Sequence, residues 1–263
     1  MNSDKIGKDI LENLGFSVEK ITESDKKSSD YIATYQNQKF IFEVKLKEDD
    51  EDQVKQKDNE LKLGKTFTLV NTVGRNETFS GIIKKSARQL KSTSQQYNGF
   101  KIVLIICAGN GRNLKVENFF HTLYGSVEMW HTNTKKLTDC YFYNNSDFYR
   151  RKKDIDGALI VVLDENKFAF SLCLNNFSSN YDELKESSFL KSLDKKEIID
   201  PVERERNGIA FINDSGKSAK KDEIHSFQTP VLDYISNKYN LGSSPLHPMH
   251  WKVAEISVPI SAT

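Results

Sequence analysis

Apolar positions near the start of the chain change from helical spacing to strand spacing. Over 3–15 they repeat at intervals of three and four residues, which predicts an amphipathic helix capped by Ser3 and ended by Gly15. Runs of β-branched and aromatic residues at 31–35 and 39–45 flank three polar residues. We therefore expect a helix followed by a β-hairpin.

The same two spacings continue through the middle of the chain. The polar stretch 48–65 contains the acidic run 48–52 and is expected to form a loop or a solvated helix. The run 101–107 is apolar after its first residue, as in a central strand buried on both faces. The other elements predicted here are a strand at 66–70, a helix from Ser80 to Gly99, a helix at 116–130, an irregular region at 144–146, and strands at 158–163 and 167–174 joined by a turn at 164–166. Together they predict an α/β fold with a mixed β-sheet flanked by helices.

Apolar density falls beyond about residue 180. Charged, helix-like sequence runs to Arg206, a short strand is expected at 208–212, and the end of the chain contains prolines and is expected to be rich in loops. We therefore expect a core at 1–178, followed by a charged C-terminal extension at 179–263 whose role the sequence does not indicate.

The composition is that of a globular protein with a well-solvated surface. Charged residues make up 29% of the chain, and no apolar run reaches the roughly 18 to 20 residues that a membrane span requires. The first residues lack the apolar stretch of a signal peptide, so the expected location is the cytoplasm. The net charge of +1 gives no overall argument for nucleic-acid binding, so any such surface must be local.

Rarer residue types indicate packing rather than chemistry. The three cysteines are widely spaced, which indicates free thiols rather than a disulfide framework or a zinc site. His247 and His250 flank a proline, and a surface loop is favoured over a metal-binding pair. Trp130 and Trp251 are interpreted as packing residues.

Three charged residues around the predicted hairpin are candidates for chemistry. Side chains alternate faces along a strand, so Glu43 and Lys45 project from the same side. Pairing about Asn37 sets Asp30 opposite Glu43 or Val44. Two carboxylates suit a hard divalent cation such as Mg²⁺ or Mn²⁺, which can polarise a phosphoryl oxygen and lower the pKa of a bound water. Lys45 would orient or help deprotonate that water, so the group suits hydrolysis of a phosphodiester.

Asp30 followed by Glu43-Val44-Lys45 resembles the signature of the PD-(D/E)XK nucleases, the superfamily of restriction endonucleases and archaeal Holliday-junction resolvases. The order of predicted elements over about 3–108 also resembles that family. The resemblance implies a restriction-endonuclease-like core. It further implies that Asp30, Glu43 and the backbone carbonyl of Val44 hold the metal, and that Lys45 is the catalytic lysine.

The resemblance also bears on residues outside the motif. Some members carry a further acid on the first helix, where Asp4 is the nearest match, and a polar residue that faces the site, where Gln89 matches. Ser29 stands where the motif name has proline, and proline there shapes only the start of the strand. Asp4 and Gln89 are therefore expected as accessory residues.

Local basic residues supply the candidate nucleic-acid surface. Lys85 and Arg88 lie mostly opposite the apolar stripe of their predicted helix, and Arg150 and Arg151 belong to the densest basic cluster of the chain. For the second pair, a solvated strand start is an equal alternative. The acidic run 48–52 would repel a phosphate backbone, so it is expected to point elsewhere or to become ordered with cations.

These residues predict a metal-dependent endonuclease that acts on nucleic acid. The resemblance to the family implies DNA rather than RNA as the substrate. Restriction or host defence is a setting that suits such an enzyme, although no residue indicates it. One alternative is an inactive module of the same fold that binds nucleic acid or a protein partner. Another is an unrelated protein with ordinary surface charges, since Glu-x-Lys is common on exposed strand edges. The burial of these side chains distinguishes the hypotheses, because a nuclease places Asp30, Glu43 and Lys45 in one cleft. Nucleic acid is the expected partner, and a membrane is not expected. Whether the protein forms a homodimer is left open by the sequence.

Overall fold

The computed structural model describes residues 3–22, 28–164, 167–220, 229–242 and 246–259. The helices are α1 (Ser3–Asn13), α2 (Glu51–Lys62), α3 (Glu77–Thr93), α4 (Arg112–Tyr124), α5 (Asp147–Arg150), α6 (Tyr181–Lys185), α7 (Ser188–Ser192), α8 (Pro201–Arg206) and α9 (Pro230–Lys238), with a 3-10 turn at Lys195–Glu197. The strands are β1 (Ser17–Lys20), β2 (Tyr31–Tyr35), β3 (Gln38–Lys47), β4 (Phe67–Thr72), β5 (Phe100–Cys107), β6 (Val127–His131), β7 (Lys136–Tyr141), β8 (Gly157–Asp164), β9 (Lys167–Leu174), β10 (Ile198–Ile199), β11 (Ala210–Ile212), β12 (Leu246–Pro248) and β13 (Lys252–Ser257).

Seven strands form the main sheet, in the order β1-β2-β3-β5-β8-β9-β10. β3, β5 and β8 run parallel in its centre, while β1, β2 and β9 join by antiparallel pairing. A four-stranded sheet (β11-β7-β6-β12) and a two-stranded ribbon (β4-β13) complete the fold. The predicted α/β fold with a mixed sheet flanked by helices is confirmed.

Helices cover both faces of the main sheet. α1, α6 and α7 pack on one face, and α3, α4 and α5 pack on the other. Because side chains alternate along β3, Phe42 and Val44 enter the α1 layer, whereas Ile41 enters the α3 layer. Glu43 and Lys45 follow Ile41 at intervals of two residues, so their side chains also project toward the α3 layer.

α1 lies directly against β3. A Cβ atom added at Gly7 would come within 2.8 Å of Cγ1 of Val44. That separation is too short for two carbon atoms, so glycine is what lets the helix approach this strand so closely. α1 thereby holds the backbone of β3 where the candidate motif lies.

The β2–β3 hairpin has the register that the sequence predicts. Tyr31 pairs with Phe42, which sets Asp30 opposite Glu43. β2 begins at Tyr31, whereas residues 43–47 of β3 continue beyond it, paired with β5. The edge of β3 at residues 43–47 therefore extends past the end of β2, next to Asp30.

Two predicted helices have different bounds in the structure. The helix predicted over 116–130 is wrong in its second half, because Gly125 adopts a left-handed conformation (φ 60°) and Val127–His131 forms β6. The helix predicted from Ser80 to Gly99 instead begins at Glu77, where Asn76 caps it, and already ends at Thr93. Of the predicted turn between β8 and β9, residues 165–166 lie outside the described residues.

Strands after residue 178 belong to all three sheets. β10 pairs with β9, β11 with β7, β12 with β6 and β13 with β4. α9 packs on the four-stranded sheet. The prediction that the end of the chain is rich in loops therefore holds only between short elements, and these dock on distant parts of the chain.

The acidic run 48–52 is divided between a loop and α2. Asp50 caps α2 by accepting two of its first amides, and every residue of α2 is exposed or half-buried. Asp49 accepts the amide of Asn110 at 2.8 Å and forms an ion pair with Lys115. The alternative of a solvated helix is thus confirmed from Glu51 onward, and Asp49 points into the fold.

Two features of the composition have structural counterparts. The three cysteines are free and buried, as predicted. Among the described helices, none is both long and apolar enough to cross a membrane.

Candidate active site

The edge of β3 beyond β2 forms the candidate active site, made of Asp30, Glu43, Val44 and Lys45. Oδ2 of Asp30 accepts the amide of Val44 at 2.7 Å, and the amide of Asp30 donates to the carbonyl of Phe42 at 3.1 Å. The amide and the carbonyl of a strand residue point the same way, so the Val44 carbonyl also faces this edge. The structure thus brings the Asp30 side chain and the Val44 backbone together.

Glu43 is the fully buried member of the site. Its Oε1 is paired with the Lys45 ammonium, and its Oε2 has no hydrogen-bond partner among the described residues. Burial and the charge of Asp30 raise the pKa of Glu43 to about 8, although Lys45 acts in the opposite direction. A buried carboxylate with an unpaired oxygen is unfavourable unless a proton or a cation neutralises it. The site therefore favours the arrival of positive charge.

Asp30 experiences the same environment in a milder form. Burial raises the pKa of Asp30, while the Val44 amide and Lys45 lower it. The charge of Asp4 raises this pKa further, and that of Lys20 lowers it. Asp4 therefore lies close enough to influence Asp30, and its own carboxylate is paired with Lys20 at 2.6 Å.

Lys45 links the buried carboxylate to solvent. Its side chain is 30% exposed, whereas that of its partner Glu43 is fully buried. An ammonium at this boundary can neutralise Glu43 from the open side of the site. It can also reach a ligand that approaches from solvent.

The oxygen atoms of the site fit a hard divalent cation. Asp30 and Glu43 supply carboxylates, Val44 supplies a backbone carbonyl, and Oε2 of Glu43 is a buried acceptor in need of a partner. In the part of the chain that the structure describes, no three His, Cys, Asp or Glu side chains are grouped to hold a metal ion. Two carboxylates and one carbonyl are thus what this site offers, with water completing the coordination of an ion such as Mg²⁺.

α3 holds the segment that leads into Asp30. Nε2 of Gln89 donates to the carbonyl of Ser28 at 3.0 Å, and Oγ1 of Thr93 accepts the amide of Ser29 at 2.7 Å. Ser29 and Thr93 are both buried. A proline at position 29 has no amide to donate. Ser29 therefore does more than shape the start of the strand, and Gln89 contacts the segment before the site.

The predicted basic residues lie in the layer formed by α3 and α5, which pack together. Lys85 and Arg88 are exposed on α3, and Arg150 is exposed at the end of α5. Arg151 is half-buried, with its Nε 3.9 Å from the buried carboxylate of Asp147. Arg151 is therefore partly engaged within the fold, while the other three present their charge to solvent.

Two residues near the site were not predicted from the sequence. Thr93 has a usable signal, because it lies three residues after Leu90 on the apolar stripe of α3 and yet is polar. Lys20 has no such signal, since it approaches Asp30 only through the pairing of β1 with β2. Local spacing thus indicates one of the two.

Comparison of this chain with protein-family models, with curated proteins and with solved structures found no match.

Proposed function

We propose that this protein is a metal-dependent endonuclease that hydrolyses phosphodiester bonds in nucleic acid. The observation that carries the proposal is the convergence of Asp30, Glu43 and Lys45 at the edge of β3. Ordinary surface charges would leave Glu43 in solvent, whereas this carboxylate is fully buried with one oxygen unpaired. Burying an acid in this way is unfavourable for stability, which supports a functional origin.

Asp30, Glu43 and the Val44 carbonyl are the residues that would hold Mg²⁺ or Mn²⁺. When bound, the cation would polarise the phosphoryl group and make a water molecule more acidic. The Val44 amide fixes the Asp30 carboxylate, and the core around Glu43 keeps bulk water from its inner face. The chain thus presents both acids in a fixed arrangement before a substrate arrives.

In this proposal Lys45 is the residue that contacts the substrate. In the structure its ammonium donates to Glu43. Once other positive charge neutralises Glu43, the ammonium can turn to a phosphate oxygen or to the attacking water. Its positive charge then stabilises the charge that develops on the phosphorus centre in the transition state.

DNA is the proposed substrate, following the resemblance to the PD-(D/E)XK nucleases, with restriction or host defence as a suitable setting. The exposed side chains of Lys85, Arg88 and Arg150 supply local positive charge for a phosphate backbone. Contacts to the backbone position a nucleic acid without selecting its sequence. These residues therefore support binding and carry no argument about sequence specificity.

The test is nicking of a covalently closed plasmid in Mg²⁺ or Mn²⁺, because a closed circle has no ends for an exonuclease. Lys45→Ala and Asp30→Asn should lower the rate by about 100-fold or more, the usual effect of losing an acid–base or electrostatic group. Lys39→Ala is the matched control, since Lys39 is exposed on the same strand and the same face, outside the site. An inert wild type, or variants as active as the wild type, would refute the proposal.

The inactive binding module remains the alternative, and the same preparation separates it from a nuclease. A binding module retains affinity for plasmid and for single-stranded DNA or RNA without cutting any of them. If the protein is a binding module, Lys45→Ala should bind as tightly as the wild type, and neither protein should cut the nucleic acid. Circular dichroism of each variant shows whether a lost activity comes from a lost fold.

A further inference from the structure

A cavity of about 370 Å³ lies away from the candidate active site, where α3, α4 and β6 meet. This volume falls within the range of about 300 to 1,000 Å³ typical of small-molecule sites. Glu77 lines the cavity, whereas Gln89, on the same helix, lies beside the candidate active site. At 1.5 Å per residue, about 18 Å of α3 separates them. The cavity is therefore a second location, and we call it the α3–β6 cavity.

Asn144, in the wall of this cavity, has a buried acceptor that the fold leaves unused. The residue is 8% exposed, and within the described residues its Oδ1 accepts no hydrogen bond. Its backbone amide donates to the carbonyl of Gly125 at 2.7 Å, which fixes the position of the residue. An unsatisfied buried oxygen carries a penalty in stability. A hydrogen-bond donor from a ligand would remove that penalty.

His121 adds an imidazole to the same wall. Its Nδ1 lies 3.2 Å from the carbonyl oxygen and 3.0 Å from the hydroxyl oxygen of Ser126. Nδ1 can donate to the Ser126 carbonyl or accept from the Ser126 hydroxyl, and the hydrogen-bonding role of Nε2 depends on which tautomer is present. The wall of the cavity thus contains an amide and an imidazole, both of which are hydrogen-bonding groups.

Trp251 forms an aromatic side of the cavity in a fixed orientation. Its Nε1 donates to the Glu128 carboxylate, and its backbone carbonyl accepts the amide of Val73 at 2.9 Å. Met249, also in the wall, donates its amide to the Glu128 carbonyl at 2.8 Å. The Trp251 side chain is nevertheless 42% exposed. The interpretation of Trp251 as a packing residue is therefore wrong, because the indole is held in place but remains open to a ligand.

We propose that the α3–β6 cavity binds a nucleobase that carries an exocyclic amino group beside a ring-nitrogen acceptor, such as adenine. A planar ring can stack on the Trp251 indole, as bases do on aromatic side chains. The amino group can donate to Asn144, and the Asn144 amide nitrogen can donate to the adjacent ring nitrogen. Thymine and uracil lack the amino group. The base can belong to a free nucleotide or to an unpaired position in a strand, since both present the same chemistry.

The test is calorimetric titration in metal-free buffer with adenosine monophosphate and uridine monophosphate, and with short oligo-dA and oligo-dT. Because no hydrolysis occurs without metal, the result is independent of the nuclease proposal. Adenine should bind about 5- to 150-fold more tightly than uracil or thymine, the range for one bidentate amide contact. Binding of the monophosphate indicates a free nucleotide, and binding of oligo-dA alone indicates a base within a strand.

Two variants locate the bound base. Asn144→Leu should abolish the preference for adenine and raise the thermal stability, because it removes the unpaired oxygen at similar volume. Asn13→Leu makes the same change at an exposed site on α1 and should leave binding unchanged. Trp251→Ala, at a partly exposed position, should weaken binding at least about fivefold through lost stacking. Equal affinity for all bases would overturn the proposal. Binding that is unchanged in both Asn144→Leu and Trp251→Ala would also overturn it, and the cavity would then be a solvent-filled space.

Discussion

The backbone amide of Val44 donates a hydrogen bond of 2.7 Å to the carboxylate of Asp30. At this point the ladder between β2 and β3 ends, and a side chain takes the place of the next backbone acceptor. A bond to an ionised acceptor is stronger than a neutral one. It therefore orients Asp30 toward β3 and offsets part of the penalty for burying its charge.

We predict that stability falls with pH through the titration of Glu43. Its pKa is about 8 in the folded protein against an ordinary 4.5, so between these values the folded state holds a proton that the unfolded state has released. Stability should thus decrease from about pH 4.5 to pH 8 and then level off, at up to about 1.4 kcal/mol per pH unit. Glu43→Gln should flatten this dependence and be more stable than the wild type at pH 9 without metal.

Urea denaturation at pH 5, 7 and 9 measures that difference. Glu12→Gln is the matched control, because Glu12 is a half-exposed acid on α1 whose loss should change stability little at any pH. A Glu43→Gln variant with the same pH dependence as the wild type would contradict the raised pKa.

We further predict that divalent cations bind with release of a proton. At pH 7 most Glu43 carboxyls are protonated, and a cation that binds the carboxylate must displace that proton. The apparent affinity for Mg²⁺ should therefore fall about tenfold for each pH unit below 8. Calorimetry at pH 7 in buffers with different ionisation enthalpies counts the protons released. A count near zero, or the same count in Glu43→Gln, would argue against Glu43 as a ligand.

The hairpin that carries the motif could be predicted because its pattern is local. Alternation over 39–45 and the turn around Asn37 determine the register, so Asp30 opposite Glu43 follows from counting residues. The buried strand β5 is predictable for a similar reason, since its apolar run is continuous. The core of the candidate site thus depends on short-range sequence information.

The remaining structure depends on partners that are distant in sequence. β10 to β13 are short, and each is stabilised by pairing with a strand that lies far away along the chain and that periodicity cannot identify. The contact between Ser29 and Thr93 crosses 64 positions of the chain. The cavity beside Trp251 likewise forms only when the segment before β13 reaches β4. Tertiary pairing therefore accounts for what the sequence pattern missed.

We predict that Asp49 stabilises the junction between β3 and α4. It accepts amides from Asn110 and Gly111 and pairs with Lys115, whose side chain is 12% exposed. Burial acts to raise the pKa of Asp49, but the bonds from Lys115 and Asn110 outweigh it and hold this pKa below 3.8. The contribution to stability is thus present above pH 3.8 and is lost as the pH falls through the lowered value.

Asp49→Asn should lower the free energy of unfolding by about 1–3 kcal/mol at pH 7, because it leaves a largely buried ammonium without its counter-charge. Asp52→Asn, which changes an almost fully exposed acid in the same acidic run, should alter it by less than about 0.5 kcal/mol. Equal effects of the two variants in urea denaturation would show that the Asp49 contacts contribute nothing specific.

The hydrogen bond between Ser29 and Thr93 should determine how well the site holds a cation. Thr93→Val keeps the shape of the side chain but removes the acceptor, leaving a buried amide unpaired immediately before Asp30. We expect a loss of about 1–3 kcal/mol in unfolding free energy. We also expect weaker Mg²⁺ binding, because the segment that carries Asp30 is no longer tied to α3.

Thr93→Ser retains the hydroxyl and should restore the cation affinity even where it loses some packing. Ser29→Pro places the residue of the motif name in this chain, yet it removes the donor and should resemble Thr93→Val. Mg²⁺ titrations at pH 8 and urea denaturation of the same three proteins separate the two effects. If Thr93→Val loses stability but binds Mg²⁺ as the wild type does, the bond supports the fold alone and Asp30 is positioned by Val44.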